Sequence, residues 1–391
     1  MIRVAILGST GSIGLSTLSV LERHPRMFDV VGLAANRSID TLAAQVARYS
    51  PRMAVLRDEE ALNGSARELP DAIWMSGPEG VLELAGHPEV DVVVNALVGA
   101  AGLEPTLRAL ERGKRLALAN KESLVAGGPL VMAAARRGGG ELVPVDSEHS
   151  AILQCLHGCD PASVSRLVLT ASGGPFRGRS RESLAEVGPA QALQHPTWSM
   201  GAKISIDSAT LANKALEVIE AHFLYDIPYD RIDVVVHPQS IIHSFVEFVD
   251  GSVLAQMGFP TMELPILYAL TWPERLPDRE LQTFDPVRCS PLTFEPVDHD
   301  AFPLFGIGVG AGREGGRAPA VFNAANEIAV SGFLEERIGF HEMADVVRET
   351  LEVMGPGPLG RVEDVVAADR EARGVAAGAV TARSTARTGK A

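Results

Sequence analysis

Up to residue 145 the chain alternates continuous apolar runs with stretches in which apolar residues recur at helical spacing. The apolar runs predict strands at Arg3–Leu7, Asp29–Ala34, Asp91–Ala96, Arg115–Ala119 and Glu141–Val145. Runs without polar alternation are typical of strands covered on both faces of a parallel sheet. Helices predicted between them, such as Gly14–Arg23 and Leu103–Arg112, complete a βαβ pattern. Residues 1–146 are therefore predicted to form a Rossmann-like α/β domain.

The pattern changes over residues 147–285. Apolar residues at helical spacing predict a helix at Ser208–Leu224, with Ser208 as its N-cap. Later apolar runs predict strands at Ile232–His237, Ile242–Val249 and Ser252–Met257. The pair Asp250-Gly251 between the last two is typical of a two-residue hairpin turn. We expect an α+β domain with antiparallel strand pairing.

The remaining residues divide into three segments. Residues 286–317 contain many Pro and Gly residues and are predicted to be a linker. Helical spacing returns at Ala318–Glu336, His341–Met354 and Arg361–Arg373, which predicts a small helical domain over residues 318–373. Residues 374–391 are mostly Ala, Gly, Thr and Arg, and are predicted to form a disordered tail.

Composition and charge narrow the class of protein. With 46% hydrophobic and 21% charged residues the chain resembles ordinary globular proteins, and its net charge of −14 argues against a nucleic-acid partner. No apolar run reaches the ~18 residues of a membrane span, and the first residues lack the layout of a cleavable signal. The few cysteines imply no disulfide framework, so we expect a cytoplasmic protein. Cys155 and Cys159 are interpreted as small buried hydrophobes rather than zinc ligands.

A glycine-rich turn follows the first predicted strand. Gly8, Gly11 and Gly14 form a G-x-x-G-x-x-G spacing that opens the next helix. Glycines at such a turn let backbone N–H groups approach a pyrophosphate, and the helix N-terminus adds partial positive charge. The strand before and the helix after the turn favour a dinucleotide site over a plain βα turn.

The end of the second predicted strand indicates which dinucleotide binds. An acidic residue there is typical of NAD sites, whereas a nearby Arg suits the 2′-phosphate of NADP. After Ala34 the chain reads Ala35, Asn36 and Arg37, with no acid before Asp40. The pattern predicts NADPH, with a solvated surface charge as the alternative interpretation of Arg37.

Two carboxylates follow the strand predicted at Glu141–Val145. Asp146 and Glu148 are two residues apart and could bind one cation, and their hard oxygen ligands favour Mg²⁺ or Mn²⁺ over zinc. Glu217 on the predicted helix could supply a third ligand. The alternatives are helix-capping chemistry for Asp146 and Glu148, and an ion pair between Glu217 and Lys214.

Polar groups in other segments suit an anionic substrate. The turn Ser172-Gly173-Gly174 exposes a hydroxyl and backbone amides, and Ser208, Asn213 and Lys214 could complete a phosphate pocket. The segment from His195 to Gly201 contains Trp198 and Met200, and is predicted to be either a lid over the site or a surface loop. Lys121 could bind substrate oxygens or lie on the surface. His237 and His243 are not assigned a catalytic role.

Taken together, these segments resemble the 1-deoxy-D-xylulose 5-phosphate reductoisomerases over nearly the whole chain. The motifs that carry the resemblance are GSTGSIG at 8–14, NKES at 120–123, PVDSEHSA at 144–151, LTASGGPF at 169–176, HPTWSMG at 195–201, KISIDSATLANKALEVIEA at 203–221 and HPQSIIHS at 237–244. Ala35, where the family often has Gly, and the basic residue after Asn36 depart from the family pattern. Residues past ~373 have no counterpart that can be placed.

The resemblance implies a role for each matched residue. The implied metal ligands are Asp146, Glu148 and Glu217, for Mg²⁺ or Mn²⁺, with Co²⁺ as a further candidate. The implied substrate-binding residues are Lys121, Ser147, Glu148, Ser172, His195, Ser208, Asn213, Lys214 and Glu217. The implied cofactor contacts are Thr10, Gly11, Ser12, Ile13, Asn36, Arg37, Asn120, Glu122 and Gly201. Lys121, Glu148 and His195 are the expected catalytic groups.

The resemblance also implies an activity and an assembly. The expected reaction is a retro-aldol and aldol rearrangement followed by NADPH reduction, which converts 1-deoxy-D-xylulose 5-phosphate into 2-C-methyl-D-erythritol 4-phosphate for isoprenoid biosynthesis. The family is homodimeric, and the apolar segment Ile232–Met257 is the expected interface. One rival is a plain NADP-dependent sugar or amino-acid semialdehyde dehydrogenase, which would not need the three acids. The other is an NADP-sensing regulator with a helical interaction domain, which would bind NADPH but oxidise none with any sugar phosphate.

Overall fold

The computed structural model describes residues 1–63, 68–198 and 200–388. Its strands are β1 Ile2–Leu7, β2 Phe28–Ala35, β3 Met53–Leu56, β4 Ile73–Ser76, β5 Val92–Asn95, β6 Arg115–Leu118, β7 Glu141–Pro144, β8 Val164–Ala171, β9 Ile232–Val236, β10 Ile242–Phe248, β11 Val253–Met257 and β12 Glu295–Pro296. Its α-helices are α1 Ser12–Arg23, α2 Ile39–Tyr49, α3 Glu59–Asn63, α4 Gly77–Gly86, α5 Leu103–Glu111, α6 Lys121–Gly138, α7 Ser147–Leu156, α8 Pro189–Ala192, α9 Ala202–Ala209, α10 Ala212–Tyr225, α11 Glu263–Thr271, α12 Pro303–Glu314, α13 Ala318–Leu334, α14 Phe340–Met354 and α15 Val362–Thr388. Among these described residues, no helix has both the length and the apolar character of a membrane span.

The chain divides into two compact units, each built from separate stretches of sequence. The first unit contains Met1–Ser123, Leu130–Leu153 and Thr261–Gln282, and the second unit contains Leu124–Pro129, Gln154–Pro260 and Thr283–Ala391. These boundaries differ from the predicted division at residues 147–285 and 318–373. Helix α11 joins the first unit because its apolar residues, Ile266 and Leu270 among them, pack into the core beneath that unit's sheet.

A seven-stranded parallel sheet forms the centre of the first unit. Its strand order is β4-β3-β2-β1-β5-β6-β7. The order reverses between β1 and β5, and ligands of such sheets bind beyond the carboxyl ends of the strands at that point. This confirms the Rossmann-like prediction. Strands β3 and β4, which were not predicted, are short and lie at one side of the sheet.

A mixed five-stranded sheet lies in the second unit. Its order is β11-β10-β8-β9-β12, with β8 and β9 parallel and the remaining pairs antiparallel. Strands β10 and β11 pair with Phe245 opposite Ala255, so Asp250-Gly251 lies at the predicted turn between them. The predicted antiparallel pairing is confirmed for β10 with β8 and β11, whereas β9 pairs parallel with β8.

The single helix predicted at Ser208–Leu224 is wrong. The segment forms α9 and α10, separated at Leu211, whose φ of +58° is rare for a branched side chain. Ser208 therefore lies inside α9 and is not an N-cap. Apolar spacing continues through the break, and no Gly or Pro marks it, so the pattern resembles that of one helix.

The predicted linker at residues 286–317 contains α12, so that prediction is also incorrect. Its glycines serve close packing. A Cβ at Gly308 would lie 2.5 Å from Phe322, and one at Gly312 would lie 2.8 Å from Ile219. The absence of side chains at these two glycines lets α12 pack closely against α10 and α13. A high glycine content was therefore mistaken for flexibility.

The predicted disordered tail is wrong for residues 374–388, which continue α15. Ala376, Ala379 and Val380 are buried, and Val380 packs near Gly332 of α13. Arg383 forms an ion pair of 2.9 Å with Glu349 of α14. Alanine is the strongest helix former, and small side chains allow close helix packing. Residues 389–391 of the predicted tail lie outside the described residues.

Candidate active site

The glycine turn after β1 is shaped by steric contact within the first unit. Gly8 has a φ of +89°, and a Cβ there would lie 2.5 Å from the Ala96 oxygen. A Cβ at Gly14 would lie 2.3 Å from the Gly8 oxygen, whereas one at Gly11 would meet only that same oxygen, at 3.5 Å. The turn is therefore packed at both ends and open in the middle, where α1 begins at Ser12. An open turn at a helix N-terminus fits a pyrophosphate.

The predicted cofactor contacts of this turn are accessible. Gly11 and Ser12 are exposed, while Thr10 and Ile13 are half-buried. Asn36 and Arg37 follow β2 at the same edge of the sheet and are also exposed. Arg37 forms an ion pair with Asp58. A hydrogen bond from the Ala61 backbone and this ion pair lower the pKa of Asp58. The ion pair with Asp58 thus orients the side chain of Arg37, although that side chain is exposed to solvent.

Asn120 and Glu122 lie at the end of β6 and the start of α6. Asn120 is buried, and its amide nitrogen donates to the oxygens of Leu97 at 2.8 Å and Gly99 at 3.0 Å. The same nitrogen donates to Glu122 Oε2 at 3.0 Å. The Asn120 side chain therefore fixes the loop after β5.

Lys121 is buried and paired, so its interpretation as a surface lysine is wrong. Its Nζ lies 2.5 Å from Asp146 Oδ2, and the two side chains are only 9% and 12% exposed. Burial acts to raise the pKa of Asp146, but the charge of Lys121 and a hydrogen bond with Glu148 outweigh it, so that pKa is lowered. Ser147 Oγ donates to Glu148 Oε2 at 2.7 Å. The first unit thus presents two carboxylates and an ammonium group together.

In the second unit, Ser172 and His195 are in direct contact. Ser172 follows β8, and its Oγ lies 3.0 Å from His195 Nε2. His195 Nδ1 accepts from the backbone N–H groups of Thr197 at 3.1 Å and Trp198 at 2.9 Å. These contacts define the tautomer: Nδ1 is an acceptor, so Nε2 carries the proton and donates to Ser172. Burial lowers the pKa of His195, which also favours the neutral ring.

The Ser-Gly-Gly turn lies against α9. A Cβ at Gly174 would lie 2.7 Å from the Ser208 oxygen, so the turn and Ser208 are adjacent. Ser172 Oγ also accepts from the Gly174 N–H at 3.2 Å. The structure therefore places His195 next to Ser172 and the backbone of Ser208 next to Gly174, at the two ends of one short turn.

Helix α10 carries the remaining polar groups. Asn213 Nδ2 donates to Glu217 Oε1 at 2.5 Å, and Lys214 forms an ion pair with Glu217 Oε2. Lys214 and Glu217 are both buried. The ion pair offered as an alternative to metal binding is therefore present, and it leaves the carboxylate oriented by two donors.

The predicted lid begins at His195, and Gly201 lies at its other end as the N-cap of α9. Trp198 and Met200 line a cleft with a volume of about 360 Å³, which also includes His195 and Pro196. Ser199 lies outside the described residues.

Asp207, which was not predicted, is buried one residue before Ser208. Its carboxylate lies 2.6 Å from Lys203 Nζ and accepts from Asn326 Nδ2 at 2.8 Å. A charged residue at an otherwise apolar helical position is the signal that could have identified it.

Family models match three stretches of the chain. Residues 4–128 match 1-deoxy-D-xylulose 5-phosphate reductoisomerase, residues 142–225 match the C-terminal domain of 1-deoxy-D-xylulose 5-phosphate reductoisomerase, and residues 257–375 match the DXP reductoisomerase C-terminal domain.

Relatives and solved structures agree with these models. A reductoisomerase of Heliobacterium modesticaldum is 53% identical over 358 residues, covering 90% of each chain, and one of Synechocystis is 49% identical, covering 95% and 96%. The Zymomonas mobilis enzyme in complex with NADPH aligns with a TM-score of 0.89 at 44% identity, covering 97% and 99%. A DOX-P reductoisomerase in complex with NADPH, fosmidomycin and magnesium aligns with a TM-score of 0.92 at 39% identity, covering 97% and 98%. On these matches, the chain belongs to the 1-deoxy-D-xylulose 5-phosphate reductoisomerase family.

Proposed function

We propose that this chain converts 1-deoxy-D-xylulose 5-phosphate into 2-C-methyl-D-erythritol 4-phosphate, using NADPH and a divalent metal. One observation carries the proposal: the buried Lys121–Asp146 pair with Glu148 lies at the same carboxyl edge of the parallel sheet as the Gly8 turn. A dinucleotide turn and a carboxylate cluster at one sheet edge fit a metal-assisted reduction. A plain dehydrogenase would not need the second feature.

The metal ligands we propose are Asp146, Glu148 and Glu217. Their donor chemistry fits, because hard carboxylate oxygens are what Mg²⁺ and Mn²⁺ prefer. Each is already oriented by neighbours: Lys121 at Asp146, Ser147 at Glu148 and Asn213 at Glu217. Partners of this kind fix the direction in which a ligand points.

The groups proposed for the substrate divide into two roles. Ser172, Ser208, Asn213 and Lys214 hold the phosphate, and Ser147, His195, Glu148, Glu217 and Lys121 surround the carbon skeleton. Ser172 can accept from His195 and donate to a phosphate oxygen at the same time. Lys121 places its ammonium charge beside oxygens on which negative charge develops.

Cofactor binding is proposed at Thr10, Gly11, Ser12, Ile13, Asn36, Arg37, Asn120, Glu122 and Gly201. The open middle of the glycine turn suits the pyrophosphate, and exposed Arg37 suits the 2′-phosphate. When bound, the cation supplies Lewis acidity to the substrate oxygens and NADPH supplies the hydride. The lid residues Trp198 and Met200 exclude water from the reacting carbons.

We further propose a homodimer. Val249, Val253 and Leu254 are exposed at the β10–β11 hairpin, with exposed fractions of 72%, 52% and 45%. Contiguous exposed apolar side chains at a sheet edge are typical of an interface. Val253→Lys combined with Leu254→Lys should give a monomer by light scattering at micromolar concentration, and an unchanged dimer would exclude this surface.

A cytoplasmic location is also proposed, since Cys155, Cys159 and Cys289 are free thiols. Cell fractionation that finds the protein outside the cytoplasm would contradict it.

The test of the proposed activity follows NADPH absorbance with 1-deoxy-D-xylulose 5-phosphate. Oxidation should need the substrate and Mg²⁺ or Mn²⁺, and should stop with EDTA and return on adding metal. A folded, NADPH-binding protein that oxidises no NADPH under these conditions would refute the substrate assignment.

A further inference from the structure

Gln45 holds the cofactor turn from a neighbouring helix. It lies on α2 and is 6% exposed, and Ser9, the residue it contacts, is fully buried. Ser9 Oγ donates to Gln45 Oε1 at 2.7 Å, and Gln45 Nε2 donates to the Ser9 carbonyl oxygen at 2.9 Å. The amide therefore uses both of its ends on a single residue of the glycine turn.

The hydrogen bond from Gln45 Nε2 to the Ser9 carbonyl oxygen also orients the backbone N–H of Thr10. The Ser9 carbonyl and the Thr10 N–H belong to one planar trans peptide group, so they point in opposite directions. Because Gln45 holds the carbonyl toward α2, the Thr10 N–H is directed away from α2. Thr10 is half-buried and lies in the open part of the turn.

Other anchors fix the earlier part of the turn. The N–H groups of Gly8 and Ser9 both donate to the Ala34 oxygen at 2.9 Å. These bonds hold the peptide groups before Ser9, whereas Gln45 holds the one after it. The space next to Gly11 then receives the ligand, since a Cβ at Gly11 would make only one ordinary contact.

We infer that Gln45 is a positioning residue that aims the Thr10 N–H at the pyrophosphate of NADPH. The inference rests on the NADPH site proposed above. A donor that is oriented before binding costs less to order when the anion arrives. Gln45 is buried behind Ser9, so it acts through the turn and does not touch the cofactor.

The test compares two ligands in the full chain, without substrate or metal. The dissociation constant of NADPH is measured by the fluorescence of its reduced nicotinamide. Adenosine 2′-monophosphate, which has the 2′-phosphate but no pyrophosphate, is measured by competition. Gln45→Met, which keeps the length and loses both hydrogen bonds, should weaken NADPH about tenfold and change the competitor by less than about twofold.

Thr271→Val is the matched control. The Thr271 hydroxyl, at the end of α11, shares its proton between the oxygens of Leu267 at 2.9 Å and Glu274 at 3.0 Å, so this variant also removes a buried hydrogen-bonding side chain from the first unit. Thr271→Val should lower the melting temperature and leave the dissociation constants of both ligands unchanged. A general loss of packing would instead weaken both ligands in Gln45→Met.

The outcomes separate this inference from the proposed cofactor site. Failure of the unmodified chain to bind NADPH would refute the cofactor site itself. Normal NADPH binding by Gln45→Met, or equal weakening of both ligands, would refute the role of Gln45 alone. If Gln45→Met does not fold, Gln45→Asn keeps a polar amide but shortens it by one methylene, and the same selective weakening is expected.

Discussion

Lys121 Nζ lies 2.5 Å from Asp146 Oδ2, and both side chains are almost fully withdrawn from water. An ammonium group buried against a carboxylate compensates the cost of burying either charge. Removing one member leaves the other uncompensated. The pair therefore links the stability of the first unit to the proposed metal ligand.

Lys121→Met is expected to lower the free energy of unfolding by ~3 kcal/mol in metal-free buffer, since Asp146 remains buried without its partner. Added Mg²⁺ should restore part of this loss, because a cation that binds only the folded state stabilises it. Urea unfolding with and without Mg²⁺ measures both effects.

Lys114→Met is the control for that experiment. Lys114 lies just before β6, as Lys121 lies just after it, and its Nζ donates to the Val90 oxygen at 2.6 Å. The free energy of unfolding of this variant should fall, and added Mg²⁺ should not restore the loss. Its turnover should stay that of the unmodified protein. If Mg²⁺ restored the stability of Lys121→Met and Lys114→Met equally, the assignment of Asp146 as a metal ligand would be contradicted.

Protonation of His195 should contribute to the loss of stability in acid. Burial lowers its pKa, and Nδ1 already accepts two backbone N–H groups, so the folded state favours the neutral ring. The resulting stability is fully present above the unfolded value of about 6.5 and is lost as the pH falls toward the folded-state pKa.

The pH profile of kcat/KM for the substrate should therefore fall on the acid side with an apparent pKa below about 6.5. His195→Asn should lower kcat/KM at neutral pH and remove that limb. An unchanged acid limb in the variant would assign the titration to another group.

Glu217→Gln should reduce metal affinity and turnover by roughly 100-fold while NADPH affinity stays nearly unchanged, because one carboxylate ligand is lost. Metal titrations of activity and fluorescence titrations of NADPH measure the two effects. Wild-type activity at limiting metal would exclude Glu217 as a ligand.

Glu327→Gln provides the comparison for Glu217. Glu327 pairs with Arg373 at 2.6 Å between α13 and α15, so it is another carboxylate with a cationic partner in the second unit. Its loss should leave the metal dependence unaltered.

The end of α15 should contribute to stability. Val380→Asp places a charge at a fully buried position next to Gly332 and should cost at least ~3 kcal/mol. Ala377→Asp, on the exposed side of the same helix, should lower stability by less than about 1 kcal/mol, mainly through the weaker helix propensity of Asp. Urea unfolding compares them, and equal small effects would mean that this segment is not docked in solution.

Local patterns predicted the parallel sheet and the positions of Lys121 and Asp146, because a buried strand and its carboxyl end are both visible in a few residues. The break at Leu211 has no local signal, since apolar residues continue at helical spacing through it and no Gly or Pro marks it. Gly308 and Gly312 were misread because glycine serves both loops and close helix packing. Asn326, which donates to Asp207, and Ser9, which contacts Gln45, are distant from those residues in sequence, so spacing alone could not identify these two contacts.

The first unit is completed late in the chain, because Ile266 and Leu270 of α11 belong to its core. A ribosome delivers residues in order, so the long N-terminal segment emerges before the helix that covers part of its apolar interior. During that interval the nascent chain exposes apolar surface, so aggregation competes with folding. Chaperones that cover this apolar surface until α11 is synthesised should therefore raise the yield of folded enzyme.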